Sequence, residues 1–134
     1  MTLGINTTTR NAMMDTITTR AGGSALLRVY DGTRPATGGT ATNLLAQLTC
    51  NATFAPGASS GVLTLNSIAS ATSAAATGTA TWFRIVKSDG TTHVLDGSVS
   101  TQAAGTGDMQ LDSTSIVLGG TVAISSATIT CGNI

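Results

Sequence analysis

Two β-branched, aromatic-containing runs, Thr79 to Lys87 and Thr92 to Val99, face each other across Ser88-Asp-Gly-Thr91. An Asp-Gly pair between two such runs is a strong short-range hairpin signal, and Asp89-Gly90 predicts a type I′ turn because both central residues would need positive φ. That hairpin sets the character of the chain from Ser24 onward. Short runs of strand-forming residues recur there, separated by Gly, Asn, Asp and Pro, the pattern of an all-β fold. Strands are expected at Ala25–Tyr30, Leu44–Cys50, Gly61–Asn66, Met109–Leu111, Ser115–Leu118 and Thr121–Thr130, the last closing the sheet. Ile68–Thr77 keeps no period and reads as irregular. The predicted architecture is an antiparallel β-sandwich, jelly-roll-like or immunoglobulin-like.

Only Thr8–Arg20 suggests a helix, with Ala12, Met13, Met14 and Ile17 as its apolar residues. Such a stripe would lie against the sheet. Thr7, Thr8 or Thr9 offers the N-cap oxygen and Ala21-Gly-Gly23 a flexible end. Residues 1–23 are therefore read as an arm and short helix, and residues 24–134 as the β-sandwich domain.

Charge excludes more than it suggests. Six Lys or Arg balance six acids, all of them Asp, and only 9% of the residues are charged. Ordinary domains carry about 25%. No basic patch exists to neutralise phosphates, so nucleic acid is excluded as a partner. The uncharged stretches 35–83 and 113–134 are interrupted too often by Thr, Ser, Gly and Asn to supply the ~20 apolar residues of a spanning helix, which argues against a membrane. Met1–Arg10 has no basic stretch leading into an apolar run, so the chain is expected to be made in the cytoplasm. With 26 threonines and few charges, the surface also gives up the lysines that usually suppress edge pairing, which points to cover by other chains.

Chemistry is sparse. His93 is the only histidine and would have to be the base of any triad, but at the start of a hairpin strand an exposed His is the ordinary outcome. Asp31, Asp96, Asp108 and Asp112 show no spacing that selects an acid pair. Asp108 and Asp112 flank Met-Gln-Leu beside Gly105-Thr-Gly107 and read as solvated turn residues, with no complete calcium loop. Cys50 and Cys131 form no zinc motif; they read as buried thiols or, alternatively, a disulfide within or between chains. The expectation is no catalytic residue, no metal and no cofactor. Trp82 and Phe83, adjacent on a strand, should face opposite sides, one ring anchoring the core and the other entering an interface.

The run Gly78-Thr-Ala-Thr-Trp-Phe-Arg-Ile85, then Asp89-Gly90, Leu95-Asp-Gly-Ser-Val99 and Thr114-Ser-Ile-Val-Leu-Gly-Gly-Thr-Val-Ala-Ile-Ser-Ser126 resembles a family of small tailed-bacteriophage virion proteins. The likeness extends upstream to Arg10-Asn-Ala-Met-Met-Asp15 and Leu27-Arg-Val-Tyr-Asp-Gly32, and so covers most of the chain. It implies a virion structural protein, with decoration (cementing) of the capsid exterior the preferred post. Residues 1–20, through Met13, Met14 and Ile17, would clamp the major capsid protein, and Trp82 and Phe83 would serve a homo-oligomer, a trimer in the favoured form. Cys50 and Cys131 depart from the family pattern. The alternatives are a ring or sleeve at the neck or tail, and a module binding cell-surface glycans through Thr33–Thr42 and Ser100–Gly107.

Overall fold

The computed structural model describes residues 4–131. One helix, α1 (Thr7–Ala21), precedes nine strands: β1 (Leu26–Tyr30), β2 (Leu44–Thr49), β3 (Val62–Thr64), β4 (Gly78–Thr79), β5 (Trp82–Val86), β6 (His93–Thr101), β7 (Met109–Leu111), β8 (Ser115–Ile116) and β9 (Ile124–Thr130). Seven of them form one sheet in the order β2-β1-β5-β6-β7-β9-β3, and β4 pairs with β8 in a small second sheet. The expected run 79–87 is thus divided, its first residues leaving for β8. Leu45 and Leu48 from one end of the strand order and Leu63 from the other belong to a single hydrophobic core. The sheet therefore curls around that core.

The expected antiparallel pairing holds except at one step. β6 and β7 run parallel, Val99 opposite Met109 and Thr101 opposite Leu111. Parallel neighbours usually need a crossover of a dozen or more residues, yet here residues 102–108 suffice because the chain doubles back along β6 itself. Gly107 makes this possible: a Cβ there would lie 2.5 Å from the Ser100 nitrogen and 2.8 Å from the Val99 carbonyl carbon. Asp108 completes the clasp, its Oδ2 accepting from the Ser98 backbone N–H at 3.1 Å and from Ser98 Oγ at 3.0 Å. The aspartate read as a solvated turn residue is a structural tie. β9 also differs from expectation, lying between β7 and β3 rather than closing the sheet.

The central hairpin forms with a different turn. The Gly90 N–H donates to the Lys87 carbonyl at 2.9 Å, and Gly90 has φ 77° while Asp89 is not in the left-handed region. Asp89 instead turns its carboxylate onto the backbone, Oδ1 accepting from the N–H groups of Thr91 and Thr92 at 2.8 Å each. The Thr92 hydroxyl donates to Oδ2, and it and these two bonds hold the Asp89 carboxyl well below the usual carboxylate range. A two-residue loop with two consecutive positive-φ residues occurs elsewhere, at Ser60-Gly61 (φ 53° and 73°), where Ser59 and Val62 exchange both backbone bonds.

Helix α1 begins one residue before the expected caps: Asn6 is the N-cap, its side chain accepting from the Thr8 N–H at 2.9 Å. Gly22, at φ 69°, ends it. Its docking face is half polar, which hides it from a reading of apolar periodicity. Met14 and Ile17 pack against the core and Ala21 is buried. Between them, Asn11 Oδ1 accepts from the Gly61 N–H at 2.8 Å and Asp15 Oδ1 from the Ala58 N–H at 2.7 Å. Met13, one helical turn before Ile17, is 45% exposed.

Candidate functional site

The two faces of the β1-β5-β6 ladder have different fates. Leu27, Val29, Phe83 and Ile85 face the core, with Gly97 opposite Phe83. A Cβ on Gly97 would lie 2.5 Å from Phe83 Cε1, so the ring occupies the space a side chain would take. The opposite face carries Tyr30 beside Trp82 and Arg28 beside Arg84. Two arginines directly opposite would repel, and each is answered separately. Arg28 donates to Gln47 Oε1 at 2.9 Å and to the Gly90 carbonyl at 3.0 Å. Arg84 turns to Asp96, its partner in register on β6.

This second face is where charge concentrates. Arg84 Nε donates to Asp96 Oδ1 at 2.7 Å and an Arg84 terminal nitrogen to Oδ2 at 3.1 Å, a two-point pair. The Asp96 side chain is only 3% exposed. His93 Nε2 lies 3.1 Å from the same Oδ1. A carboxylate only accepts, so that ring nitrogen carries the proton. Burial acts to raise the Asp96 pKa, and the bonds from Arg84, Gly38 N–H and His93 together outweigh it, leaving the carboxyl below its ordinary value. The guanidinium lies 5.2 Å from the Trp82 ring centroid.

From this node a strap is held down. The segment 31–42 crosses over Trp82, with the Gly38 N–H donating to Asp96 Oδ2 at 3.1 Å and Arg84 donating to the Gly39 carbonyl at 2.9 Å. Trp82 Nε1 reaches the Asp31 carbonyl and Thr42 Oγ1, each at 3.0 Å, and Thr42 Oγ1 itself donates to the Asp31 carbonyl. Tyr30 stacks on Trp82 with centroids 4.4 Å apart. The expectation for Trp82 and Phe83 needs correction accordingly. One ring does leave the core, but the chain's own loop covers it, and both rings are buried. Tyr30 and Phe54 are buried too, so all four aromatics are enclosed.

The remaining expected residues scatter. His93 is half-buried against Asp96 rather than freely exposed, and Asp96 is fully committed to structure. Asp112 Oδ1 accepts from Ser125 Oγ at 2.5 Å, away from Asp96. Among the described residues no three His, Cys or Asp side chains stand together as metal ligands, and no helix is long and apolar enough to cross a membrane. Cys50 is a buried free thiol, and burial pushes its pKa up to about 11. Cys131, half-buried, is not bonded to it. Of the expected clamp, Met14 and Ile17 are partly used by the fold and Met13 is open; Met1–Leu3 lie outside the described residues.

Comparisons with family models, curated proteins and solved structures gave no match. Two further features lie on the described surface. A cavity of about 210 Å³ opens between α1 and the sheet, walled by Ile17, Phe83, Leu95 and Ile129. The turn after β8 displays Val117 and Leu118, 62% and 64% exposed. Both residues fall within the strand expected at Ser115–Leu118, which the structure ends at Ile116. The signal available was Gly119-Gly120, which ends β8 early and converts its last two apolar positions into a turn.

Proposed function

We propose that this protein is a structural component of a tailed-bacteriophage virion, assembled in the host cytoplasm, and that its post is decoration of the capsid exterior. Copies would bind the major capsid protein through the N-terminal segment and stabilise the shell by binding linkage. They would associate with one another, a trimer suiting a three-fold position. The curled sheet with its single core is compatible with a sandwich of the jelly-roll kind.

The observation that carries this reading is what the family-like residues do. Gly78 sits against the Leu45 side chain, Trp82 and Arg84 pin the strap, Asp89 and Gly90 make the turn, and Asp96 and Gly97 serve the node and the Phe83 ring. Residues with reactive side chains are thus used as fasteners, which suits a protein whose task is to hold shape. Enclosure of all four aromatics leaves no ring among them for stacking on a sugar, which weighs against a glycan module.

Immunogold electron microscopy of purified particles with an antibody to this protein tests the reading. Gold over the head is expected. Gold confined to the neck or tail would replace decoration by a ring or sleeve, and bare particles would remove the virion reading.

A further inference from the structure

We propose that α1 is a releasable arm: parked against its own sheet in the free chain, it swings out about Gly22–Ser24 and hands Met14 and Ile17 to the major capsid protein. The inference deepens the reading above by giving the N-terminal clamp its regulation, and it rests on that reading for the identity of the acceptor.

The clamp residues are engaged as the chain stands. Met14 and Ile17 pack against the core, so a partner can take them only if α1 lets go. How firmly α1 is held follows from its docked face. Only Ala21 of its 15 residues is buried. Arg10, Asn11, Asp15 and Thr18 are half-buried on that face beside Met14 and Ile17. Among the described residues, two buried side-chain polar atoms lack a hydrogen-bond partner, Arg10 Nε and Thr18 Oγ1, and both belong to α1. Docking desolvates each with nothing in exchange, and water would satisfy both on release. The Arg10 guanidinium is otherwise held by long bonds, 3.4 Å to the Cys131 carbonyl and 3.3 Å to Thr7 Oγ1. Packing beneath the helix is also incomplete, a cavity of about 210 Å³ lying between Ile17 and the side chains of Phe83, Leu95 and Ile129. Against this stand the three apolar contacts and two polar clips, Asn11 on the Gly61 N–H and Asp15 on the Ala58 N–H. An element held by so few contacts opens below the free energy of global unfolding.

The hinge is equally definite. Gly22 and Ser24 both have positive φ, 69° and 55°, and the second is uncommon for a residue with a side chain. The Ser24 N–H meets the Asn51 carbonyl at 3.3 Å, a long bond. From Ala25 the chain is fixed, for Ala25 is fully buried and its carbonyl accepts from the Cys50 N–H at 2.8 Å. Motion therefore concentrates at 22–24 and leaves β1 in place. Once free, α1 does not persist as a helix. Six of its 15 residues are Thr, a weak helix former, and isolated helices of about 15 residues are marginal in water even when rich in alanine. Release is thus undocking and unwinding together, and the segment refolds on the surface that accepts Met14 and Ile17. Parking hides both side chains from water and lowers the apparent affinity for the acceptor by the fraction of chains with α1 released.

Amide hydrogen exchange of the full chain, resolved by residue with NMR, tests the release. The amides of Asn11–Ala21 should exchange together, at least about 100-fold faster than those of β5 and β6. Exchange of α1 in step with β5 and β6 overturns the proposal. Two variants separate release from simple fraying. Asp15→Ala raises helix propensity but removes the clip on Ala58, so it should speed α1 exchange about tenfold and leave the strands unchanged; slower exchange shows fraying and overturns release. Thr18→Val keeps the propensity and removes the unpartnered hydroxyl, so it should slow α1 exchange about tenfold; no slowing overturns the account of the docked face. The hand-over is read on shells assembled from the major capsid protein alone, which Asp15→Ala should bind about tenfold more tightly than the parent chain. Equal or weaker binding overturns the hand-over. If α1 exchanges in step with the strands while antibody still labels phage heads, only this inference falls. If α1 exchanges as expected and particles stay bare, the virion reading falls and the release of α1 stands without that acceptor.

Discussion

Replacing Asp96 with Ala removes the acceptor at the centre of the strap node. The side chain is 3% exposed and Arg84 12%, so the guanidinium left behind has little access to water. Breaking a buried pair by deleting one partner costs about 3–5 kcal/mol because the surviving charge is uncompensated. Arg84 keeps its bond to the Gly39 carbonyl, which places the expected loss at the low end, about 3 kcal/mol. At roughly 4 °C per kcal/mol for a chain of this length, the melting temperature should fall by about 12 °C. Urea unfolding gives the free energy, and fluorescence of Trp82, the only tryptophan, reports the strap above it. The double variant Arg84→Met/Asp96→Leu should be more stable than Asp96→Ala, since an apolar pair leaves no buried charge. Acid supplies a second readout. The folded pKa of Asp96 is depressed, so its contribution is present above the unfolded value and is lost as pH falls below about 4 toward the lower folded value. The variant should therefore lose less stability than the parent across that acid window. A loss under about 1 kcal/mol, or a double variant weaker than the single one, would refute the account of the node.

Two further outcomes follow from the packing. Cys50 is buried without a hydrogen-bonding need, so Cys50→Ser should cost about 1–3 kcal/mol by enclosing an unpartnered hydroxyl. Its raised pKa also implies stability that is full below about pH 9 and declines as pH rises toward about 11, a decline that Cys50→Ala should flatten in urea titrations. Gly97→Ala should cost about 1–3 kcal/mol, because the new methyl meets Phe83 at 2.5 Å. Gly57→Ala, with open space around it, should change thermal stability little, and equal effects at the two glycines would remove the packing explanation.

Much of the fold was legible because strand signals here are local. The alternation of Leu44–Cys50, the Met109–Leu111 run and the irregular 68–77 stretch each needed only neighbouring residues. The charged node was not legible, for a reason of register. A two-residue turn at Asp89-Gly90 would set Arg84 opposite Leu95. The actual four-residue loop keeps that register as far as Val86, which stands opposite His93, and the irregularity between Ile85 and Val86 then moves Arg84 opposite Asp96. A shift of one residue exchanges the faces of a strand, so the salt bridge was hidden behind a bulge. The parallel β6-β7 step was hidden similarly, in the close backbone approach that Gly107 permits. Trp82 was misplaced because strand alternation says which face a ring takes, not whether a loop from elsewhere crosses that face.

A charge-poor sheet still has to protect its edges, and this one does so with geometry instead of lysine. At the β2 edge, the N–H groups of Ala75 and Ala76 both reach the Leu45 carbonyl, at 2.7 and 3.4 Å. At the other edge β3 is three residues long, preceded at once by the Ser60-Gly61 turn, which Asn11 and Asp15 tie to α1. Short and covered edges offer little for strand addition, so the threonine-rich surface does not by itself imply cover by other chains. Among the described residues, what it leaves open is narrower: Val117 and Leu118 on a fixed turn, and Met13 on the helix. Contacts confined to a few apolar points are individually weak and gain strength from repetition.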